Sequence, residues 1–198
     1  MVEKIEGLVE RARKLKEKGL TTGEISDELN VSRETALWLM TKAREDVTPP
    51  SDIYIEWRTI SHPFRLRNIA SVMTDMILEA VEEEPDVVIG IATSGIPIAT
   101  MIAEELNVDL SVYYPKKLRD ESDKKVSGFF SGNYAKIEDR KCVAVDDIVT
   151  TGSTLIELAR DAKKKEAEIL CASVIIDKKG ISEIEGFPVL SILKIMRL

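Results

Sequence analysis

A chain of 198 residues with 44% hydrophobic content can bury a real core, as one large domain or as one domain with a small module. A net charge of −7 excludes a sticky polycation with broad affinity for nucleic acid. The charged N-terminus carries no apolar signal core and no run reaches membrane-spanning length, so a cytoplasmic protein with no membrane partner is expected.

In chain order, Ile5 to Lys18 patterns as a helix that stops near Gly19, a good C-cap. Thr21 or Thr22 starts a second helix, with Glu24 three residues after Thr21 as the second half of a capping box. It carries Ile25 and Leu29, and Asn30 can take the left-handed turn that follows. Ser32 caps a third helix carrying Ala36, Leu37, Leu39 and Met40, and Ser26 supplies a small residue where the helices cross. Two helices joined by a tight turn within about twenty residues form the helix-turn-helix pattern. The stretch Thr22 to Ala36 resembles many bacterial and archaeal DNA-binding modules. In that reading the third helix enters the major groove of double-stranded DNA. Ser32, Arg33, Glu34 and Thr35 then face bases or phosphates, with Lys42 and Arg44 near the backbone. Trp38 is ambiguous between the core and packing at a domain or dimer interface, with packing preferred. The alternative for the whole segment is a three-helix bundle used for dimerisation or docking. Residues 1–50 hold nine Lys/Arg against ten Asp/Glu, so any DNA affinity should be modest and strongly salt-sensitive.

Thr48-Pro49-Pro50-Ser51 is the clearest break, because two prolines disfavour helix on both sides. Three regions follow: 1–47, a linker at 48–52, and 53–198. Beyond the linker, helical and strand patterns alternate, which predicts an α/β domain with a mainly parallel sheet. Ile53 to Trp57 reads as a short extended piece. Pro63 to about Glu83 reads as a helix with Ile69, Val72, Met73, Met76, Ile77 and Ala80 on one face. A buried strand at Val87 to Ala92, a helix at Ile96 to Leu106 and a strand at Leu110 to Tyr114 come next. Residues 115–127 are charged and irregular, and Gly128 to Ile137 has the look of a short hairpin arm. The remainder reads as strand Cys142 to Val145, helix Ser153 to Lys165, and strands Ile169 to Ile176 and Pro188 to Ile195. Cys142 and Cys171 lie in apolar runs without metal-ligand spacing and read as buried, reduced thiols.

The most informative stretch is Cys142 to Leu155, where an apolar run meets Asp146 and Asp147 and then a Thr/Gly/Ser loop that opens a helix. Open α/β sheets bind ligands at the carboxyl ends of their strands. Free N–H groups and the dipole make a helix N-terminus a ready anion site. Two adjacent carboxylates repel phosphate and suit hydroxyls or a hydrated metal. The inferred ligand has a phosphate at one end and sugar hydroxyls beside it.

This segment resembles the phosphoribosyl-diphosphate motif of the type I phosphoribosyltransferases. The resemblance implies that Asp146 and Asp147 face the ribose, while Thr150, Thr151, Gly152, Ser153 and Thr154 cradle the 5′-phosphate. Gly90 to Ala99 resembles the family's pyrophosphate loop, with Thr93, Ser94 and Gly95 at the diphosphate. Mg²⁺ would accompany such a ligand, with no direct protein metal site. The orotate-type enzymes commonly place a Lys where this chain has Ser94. They also carry an Arg-Lys, Lys and His set in the loop that closes over the reaction. Here that loop holds Lys116 and Lys117 among interleaved acids, and the single His62 lies elsewhere.

Two functional readings follow. In the first, the chain resembles archaeal regulators of sugar catabolism: a DNA-binding module precedes a phosphoribosyltransferase-like effector domain that senses a phosphorylated sugar or phosphoribosyl diphosphate as a homodimer. In the second, it is an active phosphoribosyltransferase, orotate-type, with an accessory N-terminal module. No residue is assigned a catalytic role. A purely structural oligomer is a third class, against which the acidic pair and the loop argue.

Overall fold

A computed structural model of the chain describes residues 5–41, 50, 52–118 and 127–195. Lys42, Arg44 and most of the 48–52 segment lie outside the described residues. The chain divides into two compact units, Met1–Glu56 with Lys117–Val126, and Trp57–Lys116 with Ser127–Leu198.

The first unit contains α1 (Ile5–Glu17), α2 (Thr22–Glu28) and α3 (Arg33–Thr41). Gly19 ends the α1 turn at φ 91°, a conformation that costs glycine nothing. Thr21 and Glu24 form the reciprocal capping box: the Thr21 amide donates to Glu24 Oε2 (2.8 Å) and the Glu24 amide to Thr21 Oγ1 (3.2 Å). Asn30 takes φ 52° between α2 and α3. Ile25, Leu29, Val31, Ala36, Trp38 and Leu39 pack with Leu8 and Ala12 of α1 into one core. Trp38 is therefore a core residue. Leu37 instead stays 53% exposed on the outer side of α3. The segment after the prolines returns to these helices. Arg11 donates to the Tyr54 hydroxyl (3.1 Å), and the Ser32 amide donates to Asp52 Oδ2 (2.7 Å).

The second unit begins with α4 (Pro63–Ala80), which carries proline at its start, where no intrahelical N–H is needed. Then come β1 (Val87–Ile91), α5 (Gly95–Leu106), β2 (Asp109–Tyr114), a 3₁₀ turn (Lys116–Leu118), β3 (Phe129–Phe130), β4 (Lys141–Val149), α6 (Ser153–Lys163), β5 (Glu168–Asp177), β6 (Glu183–Ile184) and β7 (Phe187–Lys194). The strands form one seven-stranded sheet in the order β3-β2-β1-β4-β5-β7-β6. The five inner strands are parallel, and β3 and β6 pair antiparallel at the two edges. All of β1 is buried, as are Cys142 to Asp147 of β4, which explains their near-continuous apolar character. The chain is thus an α/β protein with a mostly parallel sheet and N-terminal helices, as the alternating pattern predicts.

Three local expectations need correction. The helix α4 stops at Ala80 and buries Leu66, Ala70, Met73, Thr74 and Ile77. Val72 and Ala80 are exposed, so the buried stripe is rotated from the predicted face. Thr74 can be buried because its hydroxyl donates to the Ala70 carbonyl (3.0 Å). Strand β4 does not stop at the acidic pair: it continues to Val149, with Asp146 opposite Val174 and Ile148 opposite Ile176 of β5. The expected hairpin arm after Gly128 reduces to the two-residue β3 and turns.

Candidate functional site at the carboxyl edge of the sheet

The strand order reverses between β1 and β4. The successor of β1 lies on one side, at β2, and the successor of β4 on the other, at β5. The connections leaving β1 and β4 therefore splay apart and open a crevice outside their carboxyl ends, where doubly wound sheets hold ligands. Residues 92–95 leave β1 and residues 150–153 leave β4, so both candidate loops meet at this reversal.

Their approach is close because Gly95 has no side chain. A Cβ there would collide with the Val145 carbonyl and stand 3.1 Å from Asp146 Cα. The start of α5 is thereby set against the acidic pair. Thr93 is exposed, Ser94 half-buried and Gly95 buried, and the Ala92–Thr93 peptide is cis. Asp146 and Asp147 are 8% and 6% exposed. Each carboxylate accepts the next residue's amide, Asp147 N to Asp146 Oδ1 (2.9 Å) and Ile148 N to Asp147 Oδ1 (2.8 Å). These bonds hold both carboxylates close to the strand backbone.

The 150–154 loop joins β4 to α6 through a left-handed glycine. Gly152 precedes α6 at φ 81°, and a Cβ there would stand 2.8 Å from Ile181 Cδ1 and 3.2 Å from Ile184 Cδ1. Gly152, at the cap position, has no side chain to bond the first turn, and the Ser153 amide donates to Thr151 Oγ1 (3.4 Å). The Thr154 and Leu155 amides have no intrahelical acceptor and lie at the positive end of the helix dipole. Thr151 Oγ1 and Ser153 Oγ are 2.9 Å apart, and both residues are exposed, which brings two hydroxyls to the mouth of that turn. Thr150 and Thr154 are half-buried beside them.

A third loop completes the edge, Asp177 to Gly180, whose sequence is not diagnostic by itself. Asp177, at the end of β5, is fully buried and accepts the amides of Lys179 (2.8 Å), Gly180 (2.8 Å) and Ile181 (2.6 Å). The Lys178 amide donates to the Val149 carbonyl (2.9 Å). Residues 178–181 are thus pinned beside the 150–154 loop, with Ile181 over Gly152. The legible signal was Asp-x-x-Gly, an acid that bonds backbone amides around a turn, with Gly180 at φ 75°.

Of the two loop lysines, the Lys116 amide donates to Glu157 Oε1 (2.9 Å), while Lys117 Nζ donates to Asp27 Oδ1 of α2 (2.6 Å). In the first unit, Arg33 and Glu34 are exposed. Ser32 Oγ and Thr35 Oγ1 lie 2.8 Å apart, and the Thr35 amide donates to Ser32 Oγ (3.2 Å), which makes Ser32 the cap of α3. At α3, Arg33, Glu34 and Leu37 are exposed, while Ser32 and Thr35 are half-buried. Among the described residues no group of three or more His, Cys, Asp or Glu is placed to hold a metal ion. No helix among them is long and apolar enough to cross a membrane.

The family described as phosphoribosyl transferase domain matches residues 57–193. A protein of Archaeoglobus fulgidus named transcriptional regulator GfcR is 54% identical over 98% of this chain and 99% of its own length. Another of that name from Methanothrix thermoacetophila is 42% identical over the full length of both. The crystal structure of orotate phosphoribosyltransferase from Aeropyrum pernix superposes with a TM-score of 0.55 at 23% identity, covering 74% of this chain and 81% of that one.

Proposed function

The chain belongs to the archaeal family of transcriptional regulators named GfcR, built on a phosphoribosyl transferase domain, and we propose that it binds double-stranded DNA through α3 and senses a phosphorylated sugar at the carboxyl edge of its sheet. The observation that carries this reading is the meeting of the glycine-started α6 N-terminus, the buried Asp146–Asp147 pair and the Gly95 loop at one strand-order reversal. A phosphate fits the first, hydroxyls fit the second, and a diphosphate fits the third. Phosphoribosyl diphosphate presents all three groups. Mg²⁺ would arrive with the diphosphate, whose oxygens supply most of the ligands such an ion prefers, and the acidic pair lies beside it.

In the first unit the capping box, the left-handed Asn30 and the outward Arg33 and Glu34 support a helix-turn-helix with α3 as the reading helix. A homodimer would present two such helices to two half-sites. The exposed Phe64 and Val72, two turns apart on α4, are an apolar face that a second copy could cover. Ligand binding alters DNA affinity only to the extent that the ligand prefers one arrangement of the protein.

The test mixes the purified chain with phosphoribosyl diphosphate, Mg²⁺ and a panel of bases including orotate, and runs gel shifts on the DNA upstream of its own coding region. Ligand binding without turnover, with a shift that responds to ligand, is the expected result. Rapid diphosphate release would replace the sensor by a transferase. Asp147→Asn should weaken the ligand response and keep the fold. Arg33→Ala should weaken the shift and keep ligand affinity.

A further inference from the structure

Tyr113 is the largest fully buried side chain among the described residues, and it stands at the carboxyl end of β2. Its backbone and its side chain serve different elements. The backbone pairs with Ile91 of β1, and its carbonyl accepts the amide of Ala92 (2.8 Å), which leads into the 93–95 loop. The hydroxyl donates to Asp161 Oδ2 of α6 (2.8 Å). Burial pushes the phenol pKa up and the bond to Asp161 adds to the rise, so the group stays protonated and donating. The other Asp161 oxygen accepts Lys164 Nζ (2.7 Å), and the Asp161 side chain is only 13% exposed. Little room surrounds the phenol. Its ring lies 4.9 Å from that of Phe130, and a Cβ on Gly128 would collide with the hydroxyl.

One turn nearer the start of α6, Glu157 Oε1 accepts the amides of Lys116 (2.9 Å) and Gly128 (2.8 Å). Glu157 and Asp161 are four residues apart and so share one flank of the helix. Three donors from the chain around β2 and β3 thus hold α6 by two carboxylates. The core-facing residues of α6 are Leu155, Leu158 and Ala162, whose apolar contacts have no direction. They fix how deeply the helix sits. Its position along its own axis is left to the hydrogen bonds, which are directional. That position matters, because the start of α6 carries the 150–154 loop while Asp146 and Asp147 belong to β4. A slide of α6 changes the separation between the loop and the acidic pair. A ligand that must reach both is sensitive to such a slide, and one that touches the loop alone is not.

We propose that Tyr113 is a positioning residue: through Asp161 it sets the axial position of α6, and so the spacing between the phosphate loop and Asp146–Asp147 that a phosphorylated sugar must span. This rests on the reading of residues 150–154 as the phosphate loop and of the acidic pair as the hydroxyl site. Neither Tyr113 nor Asp161 touches the ligand. They act as supports that keep the binding groups within about 0.5 Å of the productive geometry.

The experiment titrates the full chain calorimetrically with inorganic phosphate, which engages the loop alone, and with ribose 5-phosphate, which adds the hydroxyls. The wild type should bind ribose 5-phosphate about tenfold more tightly than phosphate, the increment expected of one charge-assisted hydrogen bond. Tyr113→Phe should leave phosphate affinity within about twofold and cut that preference to about twofold or less. Asp161→Asn keeps an acceptor for the phenol and should retain most of the preference, whereas Asp161→Leu should lose it. The double variant Tyr113→Phe with Asp161→Leu removes both polar partners together, which disturbs folding less than removing one. It should behave as Tyr113→Phe does. A bond that only satisfied a buried phenol would move both affinities together or neither. If Tyr113→Phe and the double variant keep the wild-type preference, or weaken both ligands equally, the positioning role is wrong and the phosphate loop stands. If the wild type binds phosphate without preferring ribose 5-phosphate, the hydroxyl site falls and the positioning role with it. If it binds neither, the loop reading falls as well.

Discussion

Gly152 and Ile181 meet closely: a Cβ on Gly152 would stand 2.8 Å from Ile181 Cδ1, at a φ of 81°. The methyl end of an isoleucine can turn aside, so the backbone conformation is the larger obstacle. A left-handed residue other than glycine costs about 1–2 kcal/mol. Gly152→Ala should lower unfolding free energy by about that amount in urea titration. It should also reduce phosphate affinity, since the replaced residue opens α6.

Asp177 organises its loop by electrostatics rather than by packing. Three amides converge on one buried carboxylate. Hydrogen bonds to a charged group contribute about 1.5–3 kcal/mol each, and the loop amides can recover part of this from water, so Asp177→Ala should cost about 2 kcal/mol or more. Asp177→Asn keeps one acceptor and should cost less. Limited proteolysis after Lys178 and Lys179 reports the same order: wild type slowest, Asn next, Ala fastest.

Thr21→Ala removes one side of the capping box. The expected loss is about 1 kcal/mol, read as faster exchange at the Glu24 amide and earlier melting of α2. The second unit shares none of these bonds, so exchange in β1 and β4 should stay unchanged.

Cys142 and Cys171 are fully buried, and burial pushes both thiols up to about 12. A native thiol of that kind neither ionises nor reacts near neutral pH. A disulfide reagent should therefore titrate neither in the folded protein and both in denaturant. The stability consequence has a definite sign. Between the unfolded thiol value near 9 and the folded value near 12, the folded chain holds protons that the unfolded chain has released. Stability falls as pH rises through that window, by about 1.4 kcal/mol per pH unit for each thiol. Replacing either cysteine by alanine should flatten the alkaline limb.

The alternation of strands and helices was legible because a parallel sheet covered on both faces demands apolar runs, and β1, β4 and β5 supply them. The loops at β1 and β4 were legible because glycine and small hydroxyls mark a close backbone approach. What could not be read was the exit from β4. Two acids in tandem look like a strand terminus, yet each carboxylate satisfies the next amide locally and the strand continues beside β5. The α4 face was misjudged for a related reason. Thr74 looks polar, but a helix carbonyl satisfies it, whereas apolar Val72 is left to solvent. Asp177 and Glu157 were hidden because their partners are backbone amides, which periodicity does not register. Strand β6 is two residues long, too short for any alternation to show.

The two outermost strands have a consequence of their own. β3 and β6 are two residues each and run against their neighbours, at either end of a sheet whose inner strands are long and apolar. A bare parallel edge would offer a row of unpaired amides and carbonyls to any extended chain nearby. Here β3 and the chain after it close the β2 margin, with the Ser131 and Ala135 amides on the Val112 and Leu110 carbonyls, whereas β6 meets only Phe187 and Pro188 of β7. Among the described residues the outer side of β7 beyond Val189 is thus the margin left for another extended segment to pair with, and a proline placed there would be the simplest guard.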